Sequence, residues 1–159
     1  MLNKKYLLDS NIVIKIWSQY PDVFNLLEKH PNIDFKISHN VAEELSKKEF
    51  TEYKGTPVLT SKFLELLNHV TENDLCDFSK DSKFNEYVKY DYKENIYLIC
   101  GNKLSEIDYN LICICEKYSD YILVTEDKKL LSSAKIILGY SRVVNFELFI
   151  EDLRKFNIL

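Results

Sequence analysis

Short apolar runs rich in strand-forming residues alternate along the chain with helical patterns. The clearest runs are Tyr6–Leu8, Phe35–Ile37 and Tyr121–Val124, and Leu75–Phe78 and Arg142–Val144 are weaker candidates. A polar cluster and then an amphipathic stretch follow directly after four of the five runs. The stretches that we predict to be helical on this basis are Ile12–Trp17, Val41–Lys48, Lys128–Lys135 and Phe146–Phe156.

The repeated order of strand, polar cap and helix is typical of βαβ units and a mostly parallel sheet. The runs are apolar at successive positions, which suits strands covered by helices on both faces. We therefore predict an α/β fold, a three-layer α/β/α sandwich with a central, mostly parallel sheet, formed by residues 1–159 as a single domain.

The middle of the chain carries patterns with helical spacing. Two apolar stripes predict helices, one formed by Leu59, Phe63, Leu66, Leu67 and Val70, the other by Phe84, Val88, Tyr92, Ile96 and Ile99. Gly101 is placed to end the second helix. A further helix is predicted to begin near Ser105.

Composition and charge restrict the functional classes. The chain has 159 residues, 46% of them hydrophobic, and a formal net charge of −4. That charge argues against a nucleic-acid binder with a broad basic patch. It leaves open an enzyme that handles phosphate through a bound divalent metal, because the metal itself supplies positive charge.

The cysteines and the apolar runs indicate the compartment. The spacing of Cys76, Cys100, Cys113 and Cys115 fits neither a zinc site nor a disulfide framework, so we expect buried free thiols in a reducing cytoplasm. Asp9 interrupts the first apolar run too early for a signal peptide, and no run reaches the length of a membrane span. The expected location is cytoplasmic.

Four acidic residues are predicted to meet at one edge of the sheet. Asp9 directly follows the first strand, and Asp127 lies three residues beyond Tyr121–Val124. Glu44 sits in the first turns of the helix after the second strand, and Asp108 begins the helix that leads to the third. Helices in right-handed crossovers start at the edge where the preceding strand ends, which is also where parallel sheets bind ligands.

Converging carboxylates repel one another unless a cation lies between them. Carboxylate oxygens are ligands that Mg²⁺ and Mn²⁺ prefer, and ions of this kind assist phosphodiester hydrolysis. Asp9, Glu44, Asp108 and Asp127 are therefore the candidate catalytic and metal-ligating residues.

Each acid also has a purely structural interpretation. Asp9 and Asp127 are favoured helix-capping residues, and Ser105 with Asp108 forms a capping-box pattern. Asn40 and Glu43 form a second such pattern, which leaves Glu44 as the better ligand, although the choice between Glu43 and Glu44 stays open.

The ordered set of motifs resembles the PIN-domain nucleases, particularly the VapC-type toxin ribonucleases. Tyr-Leu-Leu-Asp9-Ser10-Asn11 looks like the first motif of that family, and the segment 37–45, which ends in Glu-Glu44-Leu45, looks like the second. Asp108-Tyr-Asn-Leu-Ile112 and Leu123-Val124-Thr125-Glu-Asp127 resemble the third and fourth. The resemblance covers nearly the whole chain, although residues 50–104 match only in their predicted helical character.

The resemblance implies a five-stranded parallel sheet, Mg²⁺ or Mn²⁺ as cofactor, and hydrolysis of RNA. We expect four to five strands in the central sheet, and attack by a metal-bound hydroxide that leaves 5′-phosphate and 3′-hydroxyl ends. The resemblance also implies a homodimer, and a small antitoxin as partner if the protein is the toxin of a type II toxin–antitoxin pair. A catalytically inactive PIN-like scaffold that binds a protein or RNA is the alternative from another functional class.

Several further residues have two interpretations each. By similarity, Ser10 and Thr125 support the acids or a metal-bound water, or they only cap helices. Lys128 and Lys129 contact substrate phosphate, or they only form an exposed helix start. Three tyrosines are placed to stack on bases; they are Tyr87, Tyr90 and Tyr92. For Tyr87 and Tyr92 the alternative is core or dimer packing.

Overall fold

A four-stranded parallel sheet lies at the centre of the protein. The computed structural model describes residues 3–71 and 86–159. Their helices and strands are β1 (Lys4–Leu8), α1 (Ser10–Gln19), α2 (Val23–Lys29), β2 (Ile33–Lys36), α3 (His39–Ser46), β3 (Phe50–Tyr53), β4 (Thr56–Leu59), α4 (Ser61–Leu66), β5 (Val88–Asp91), β6 (Ile96–Ile99), β7 (Asn102–Leu104), α5 (Glu106–Lys117), β8 (Tyr121–Val124), α6 (Lys128–Leu138), β9 (Val143–Val144) and α7 (Phe146–Lys155).

The central sheet has the strand order β2-β1-β8-β9, and helices flank it. Tyr6, Leu7 and Leu8 of β1 are fully buried, because their side chains alternate between two covered faces. Ile37, just past β2, forms a parallel bridge to Val70 and extends the sheet by one more pairing. The predicted three-layer α/β/α architecture with a parallel sheet is confirmed.

The pairing of β1 with β8 sets the positions of the two loops that follow. Leu8 lies opposite Val124 in the parallel register. The backbone amide of Asp9 then donates a hydrogen bond to the carbonyl of Val124 over 3.1 Å. Asp9 and Thr125 therefore leave the sheet side by side at its carboxyl edge.

The first predicted helix in the middle of the chain is confirmed at its centre, although its two ends, Leu59 and Val70, are not helical. Only Ser61–Leu66 is α-helical, and a 3₁₀ turn over Leu67–His69 follows it. Leu59 belongs to β4, which pairs with β3 in an antiparallel hairpin. Gly55, at a φ of 80°, supplies the left-handed conformation that this hairpin turn requires.

The second predicted helix is wrong. Strands β5, β6 and β7 form a three-stranded antiparallel meander there, and Gly101 lies in the turn between β6 and β7 at a φ of 85°. Val88 pairs with Ile99 and Tyr90 with Tyr97, as expected when β-branched and aromatic side chains line one face of a sheet. Phe84, Cys76 and the candidate strand Leu75–Phe78 lie outside the described residues.

The cysteines match the prediction only in part. Cys113 and Cys115 are buried free thiols, and burial raises the pKa of the Cys115 thiol to about 12. Cys100 is exposed, because it occupies the turn beside Gly101.

No helix in the described part of the chain is long and apolar enough to cross a membrane.

Arg142 ties three segments of the fold together. Its guanidinium donates hydrogen bonds to the carbonyl oxygens of Cys115, Tyr118 and Tyr121 over 2.5, 3.2 and 2.8 Å. These carbonyls lie at the end of α5, in the following loop and at the start of β8. The guanidinium thus satisfies backbone carbonyls in the connection between the end of α5 and the start of β8.

We expect Arg142→Met to lower the free energy of unfolding by about 2–4 kcal/mol, because it removes the guanidinium that donates to these carbonyls. Urea denaturation measures this. Arg154→Met is the matched control, because Arg154 is exposed in the last turn of α7. Equal effects of the two substitutions would contradict the assignment.

Candidate functional site

A cleft of about 380 Å³ opens at the carboxyl edge of the central sheet. Segments that begin α1, α5 and α6 line it together with α3. All four predicted acids are among its lining residues, which are Asp9, Ser10, Asn11, Ile14, Glu44, Lys48, Ser105, Ile107, Asp108 and Asp127. The structure thus brings together carboxylates that are separated by up to 118 positions in the sequence.

Asp9 is the most deeply placed of the acids, with 4% of its surface exposed. One carboxylate oxygen, Oδ1, accepts a hydrogen bond from the amide of Ser10 over 2.8 Å. The other, Oδ2, accepts from the hydroxyl of Thr125 over 2.7 Å. Asp9 therefore caps α1 and lines the cleft at once, so the capping interpretation and the site interpretation do not compete.

Thr125 connects two of the acids. Its buried hydroxyl donates to Asp9 and accepts from the amide of Asp127 over 3.1 Å. The carboxylate of Asp127 caps α6 through a single oxygen, Oδ1, which accepts from the amides of Lys129 and Leu130. Of the two predicted supporting residues, Thr125 thus bonds Asp9 with its side chain, while Ser10 contributes its backbone amide.

Asp108 lies in the first turn of α5. Ser105 caps this helix, and its hydroxyl accepts from the amide of Asp108 over 3.2 Å. Burial, and then the charges of Asp9 and Asp127, raise the pKa of the Asp108 carboxyl to about 6. A pKa raised this far indicates that the carboxyl is partly removed from water and faces other negative charges.

Glu44, rather than Glu43, belongs to the cleft. Glu44 lies 3.8 Å from Lys48, which also lines the cleft, whereas Glu43 points toward Lys47 on the exposed face of α3. The predicted helix cap at Asn40 is wrong. Ser38, not Asn40, caps α3 and accepts from the amide of Val41 over 3.1 Å, so Glu43 does not close a capping box.

The four carboxylates interact electrostatically across the cleft. Burial raises the pKa of Asp9, and the charges of Glu44 and Asp127 raise it further, while hydrogen bonds from Thr125 and Ser10 oppose the rise. A divalent cation would relieve this repulsion, and hard carboxylate oxygens are the donors that Mg²⁺ and Mn²⁺ accept.

The donor chemistry of the cleft therefore fits the implied metal, although the side chains do not surround an ion closely. Within residues 3–71 and 86–159, no three Asp, Glu, His or Cys side chains form a tight ligand cluster. The carboxylates of the cleft fit an ion that keeps several of its bound water molecules, as Mg²⁺ commonly does. A cleft of about 380 Å³ has room for such a hydrated ion.

Sequence reasoning missed three polar residues of the cleft, namely Asn11, Lys48 and Ser105. Asn11 accepts a hydrogen bond from the amide of Glu126, and so braces the loop that carries Asp127. The position of Lys48, four residues after Glu44 on one helix, could have indicated the ion pair. Lys128 and Lys129 are exposed at the start of α6.

The overall fold is similar to a solved structure. The crystal structure of PAE2754 from Pyrobaculum aerophilum matches with a TM-score of 0.53 and 16% sequence identity, over 96% of this chain and 90% of that chain. No family model matches the sequence, and neither does any curated protein. At this level of identity the similarity shows the fold alone.

We expect Asp108→Asn to stabilise the metal-free protein at pH 7.5. The pKa of Asp108 in the folded state, about 6, exceeds the ordinary aspartate value of 3.8, so its ionisation destabilises the fold as pH rises through that interval. The gain should be about 1 kcal/mol, because solvent at this half-buried position screens part of the repulsion.

Urea denaturation in EDTA between pH 4 and pH 7.5 measures the difference, which should shrink as pH falls below about 6. Asp22→Asn, at an exposed position before α2, is the control for the loss of one surface carboxylate. A variant that is less stable than wild type by the same amount at every pH would contradict the electrostatic account.

Proposed function

We propose that this protein is a metal-dependent endoribonuclease, which hydrolyses RNA phosphodiester bonds with Mg²⁺ or Mn²⁺ bound at the carboxylate cleft. The observation that carries the proposal is the convergence of Asp9, Glu44, Asp108 and Asp127 at the carboxyl edge of a parallel sheet. Among the described residues, only one of these acids, Glu44, forms an ion pair. Such an excess of negative charge is what a divalent cation would balance.

Asp9, Glu44, Asp108 and Asp127 would hold the ion, which would supply positive charge to orient the phosphodiester, to increase the acidity of a water molecule and to stabilise the departing oxygen. The protein's own groups have more specific tasks. Thr125 and the amide of Ser10 hold both oxygens of Asp9 in fixed positions. The cap of α6 fixes one oxygen of Asp127 in the same way.

Neutral and basic groups at the rim complete the site. Asn11 and Ser105 present an amide and a hydroxyl to the cleft, and both can hydrogen-bond a sugar or a phosphate. Lys48 contributes an ammonium group beside Glu44, where it can contact a phosphate of the substrate. The choice of RNA as substrate rests on the resemblance of the four motifs to the PIN-domain nucleases.

The partners belong to the same proposal. A toxin of a type II toxin–antitoxin pair would be blocked by a small antitoxin that covers the acidic cleft. Homodimer formation follows from the same resemblance, whereas the proposed cytoplasmic location follows from the cysteines and the apolar runs of the sequence. The catalytically inactive scaffold remains the competing proposal, which the cleavage experiment distinguishes.

We expect wild-type protein with Mn²⁺ to cleave RNA, and Asp9→Asn to reduce cleavage at least about 100-fold, because it removes charge from the buried acid of the cleft. EDTA should stop the reaction, and the products should carry 5′-phosphate and 3′-hydroxyl ends. Asp22→Asn, on the surface, should leave the rate unchanged.

A thermal-shift titration gives a second readout that does not depend on activity. Mn²⁺ should raise the Tm of the wild type and of Asp22→Asn, but not that of Asp9→Asn. Equal cleavage by wild type and Asp9→Asn, or cleavage that survives EDTA, would refute the mechanism. Binding of RNA without any cleavage would favour the scaffold.

Thr125 should act on metal affinity through Asp9. We expect Thr125→Val to weaken Mn²⁺ binding by about tenfold, because an isosteric side chain without a hydroxyl releases Asp9 Oδ2. Thr125→Ser keeps the donor and should bind Mn²⁺ nearly as the wild type does. Isothermal titration calorimetry measures both variants, and equal affinities would contradict the role of the hydroxyl.

A further inference from the structure

Four tyrosines form a continuous series of ring contacts beside the cleft. The ring centroids of Tyr92 and Tyr90 are 4.6 Å apart, those of Tyr90 and Tyr97 4.8 Å, and those of Tyr97 and Tyr109 3.8 Å. We refer to Tyr92, Tyr90, Tyr97 and Tyr109 as the tyrosine ladder. It runs from the tip of the meander of β5, β6 and β7 to helix α5.

The inner end of the ladder is anchored in the core. Tyr109 is 2% exposed, and Tyr97 stacks on it with the ring planes 23° apart. Two apolar residues of the meander, Ile99 and Leu104, are buried in the same core. The meander is therefore held firmly against the first turns of α5.

This inner end adjoins the carboxylate cleft. Tyr109 directly follows Asp108 in the sequence. Burial, and then the charge of the nearby Glu106, raise the pKa of the Tyr97 phenol. Residues from the start of the same helix line the cleft; they are Ser105, Ile107 and Asp108. One end of the ladder therefore lies next to the rim of the cleft.

The outer end of the ladder, unlike the inner end, is not explained by packing in the core. Tyr92 is 87% exposed, so its ring removes little apolar area from water. Its loop is nevertheless braced, because the side chain of Asp91 accepts from the amides of Lys93 and Glu94. The hydroxyl of Tyr90 also donates to Asn95 across the loop. A braced turn thus presents an aromatic ring to solvent.

We propose that Tyr92 and Tyr90 form a stacking platform for unpaired bases of a single-stranded RNA whose backbone continues into the carboxylate cleft. This inference rests on the proposed ribonuclease function and specifies its substrate as unpaired RNA. Tyr92 and Tyr90 are positioning residues, because they hold the strand at a distance from the reacting phosphate.

Charge considerations favour stacking as the source of affinity. A chain with a net charge of −4 offers little long-range attraction for a polyanion. Base stacking on an aromatic ring needs no positive field and tolerates any base sequence. Lys89 and Lys93 are exposed on the meander and supply local positive charge for the backbone, whereas Lys103 lies 3.7 Å from Glu94 in an ion pair.

Fluorescence anisotropy in EDTA tests the platform without cleavage. The probe is a labelled single-stranded RNA of mixed sequence, about 12 nucleotides long, and the same sequence as a duplex is the comparison. Tyr92→Leu should weaken binding of the single strand about fivefold or more, and Tyr92→Phe should restore it, because stacking needs only the ring. Duplex binding should be weaker and unaffected by either substitution.

Tyr140→Leu is the matched control. Tyr140 is 81% exposed, but it follows the carboxyl end of α6, whose other end carries Asp127. This variant should bind the single strand as the wild type does. With Mn²⁺ present, Tyr92→Leu should raise the KM for RNA cleavage and leave kcat unchanged.

Distinct results would overturn the platform and the proposed function. Unchanged affinity of Tyr92→Leu for the single strand, or failure of the wild type to bind it, overturns the platform, even if Mn²⁺-dependent cleavage is found. A Tyr92→Leu variant that changes only the oligomeric state in size-exclusion chromatography assigns this surface to a protein contact and also overturns it. Tyr92-dependent binding without any cleavage supports the platform and refutes the ribonuclease function.

Discussion

The parallel pairing of β1 with β8 places Leu8 opposite Val124, and so brings the next residues of both strands to one point of the sheet edge. The hydroxyl of Thr125 then reaches Asp9 over 2.7 Å, although 116 positions separate them in the sequence. Asp127 is tied to the same hydroxyl through its amide. The rest of the cleft is arranged around this buried hydrogen bond, because α1 and α6 both begin there.

The site combines helix capping with charge concentration. Asp9 and Asp127 satisfy free amides at the starts of α1 and α6, which stabilises both helices. The same placement forces these carboxylates toward Asp108 and Glu44. Burial first, and then the charges of Asp9 and Asp127, raise the pKa of Asp108. A fold that accepts such repulsion at a sheet edge is suited to a divalent cation, whose binding would turn an unfavourable cluster into a favourable one.

The sequence was most informative where chemistry and topology coincide. The central strands were predictable because Tyr6–Leu8 and Tyr121–Val124 are apolar on both faces, and the acids were predictable because they follow such strands. The meander was not predicted, because Val88, Tyr92, Ile96 and Ile99 match a helical period as well as they match two strands. The left-handed backbone at Asn95 and Gly101, in the turns between the strands, distinguishes the meander from a helix.

The cleft and the tyrosine ladder share one element, helix α5, so the proposed metal binding and the proposed substrate positioning would meet at its first turn. The proposed ribonuclease activity requires an ion bound among the four carboxylates. Crystals soaked in Mn²⁺ and measured for anomalous scattering test this most directly. An anomalous peak in the cleft beside Asp9, Asp108 and Asp127 is the expected result. A cleft without a peak at saturating Mn²⁺ would contradict the account.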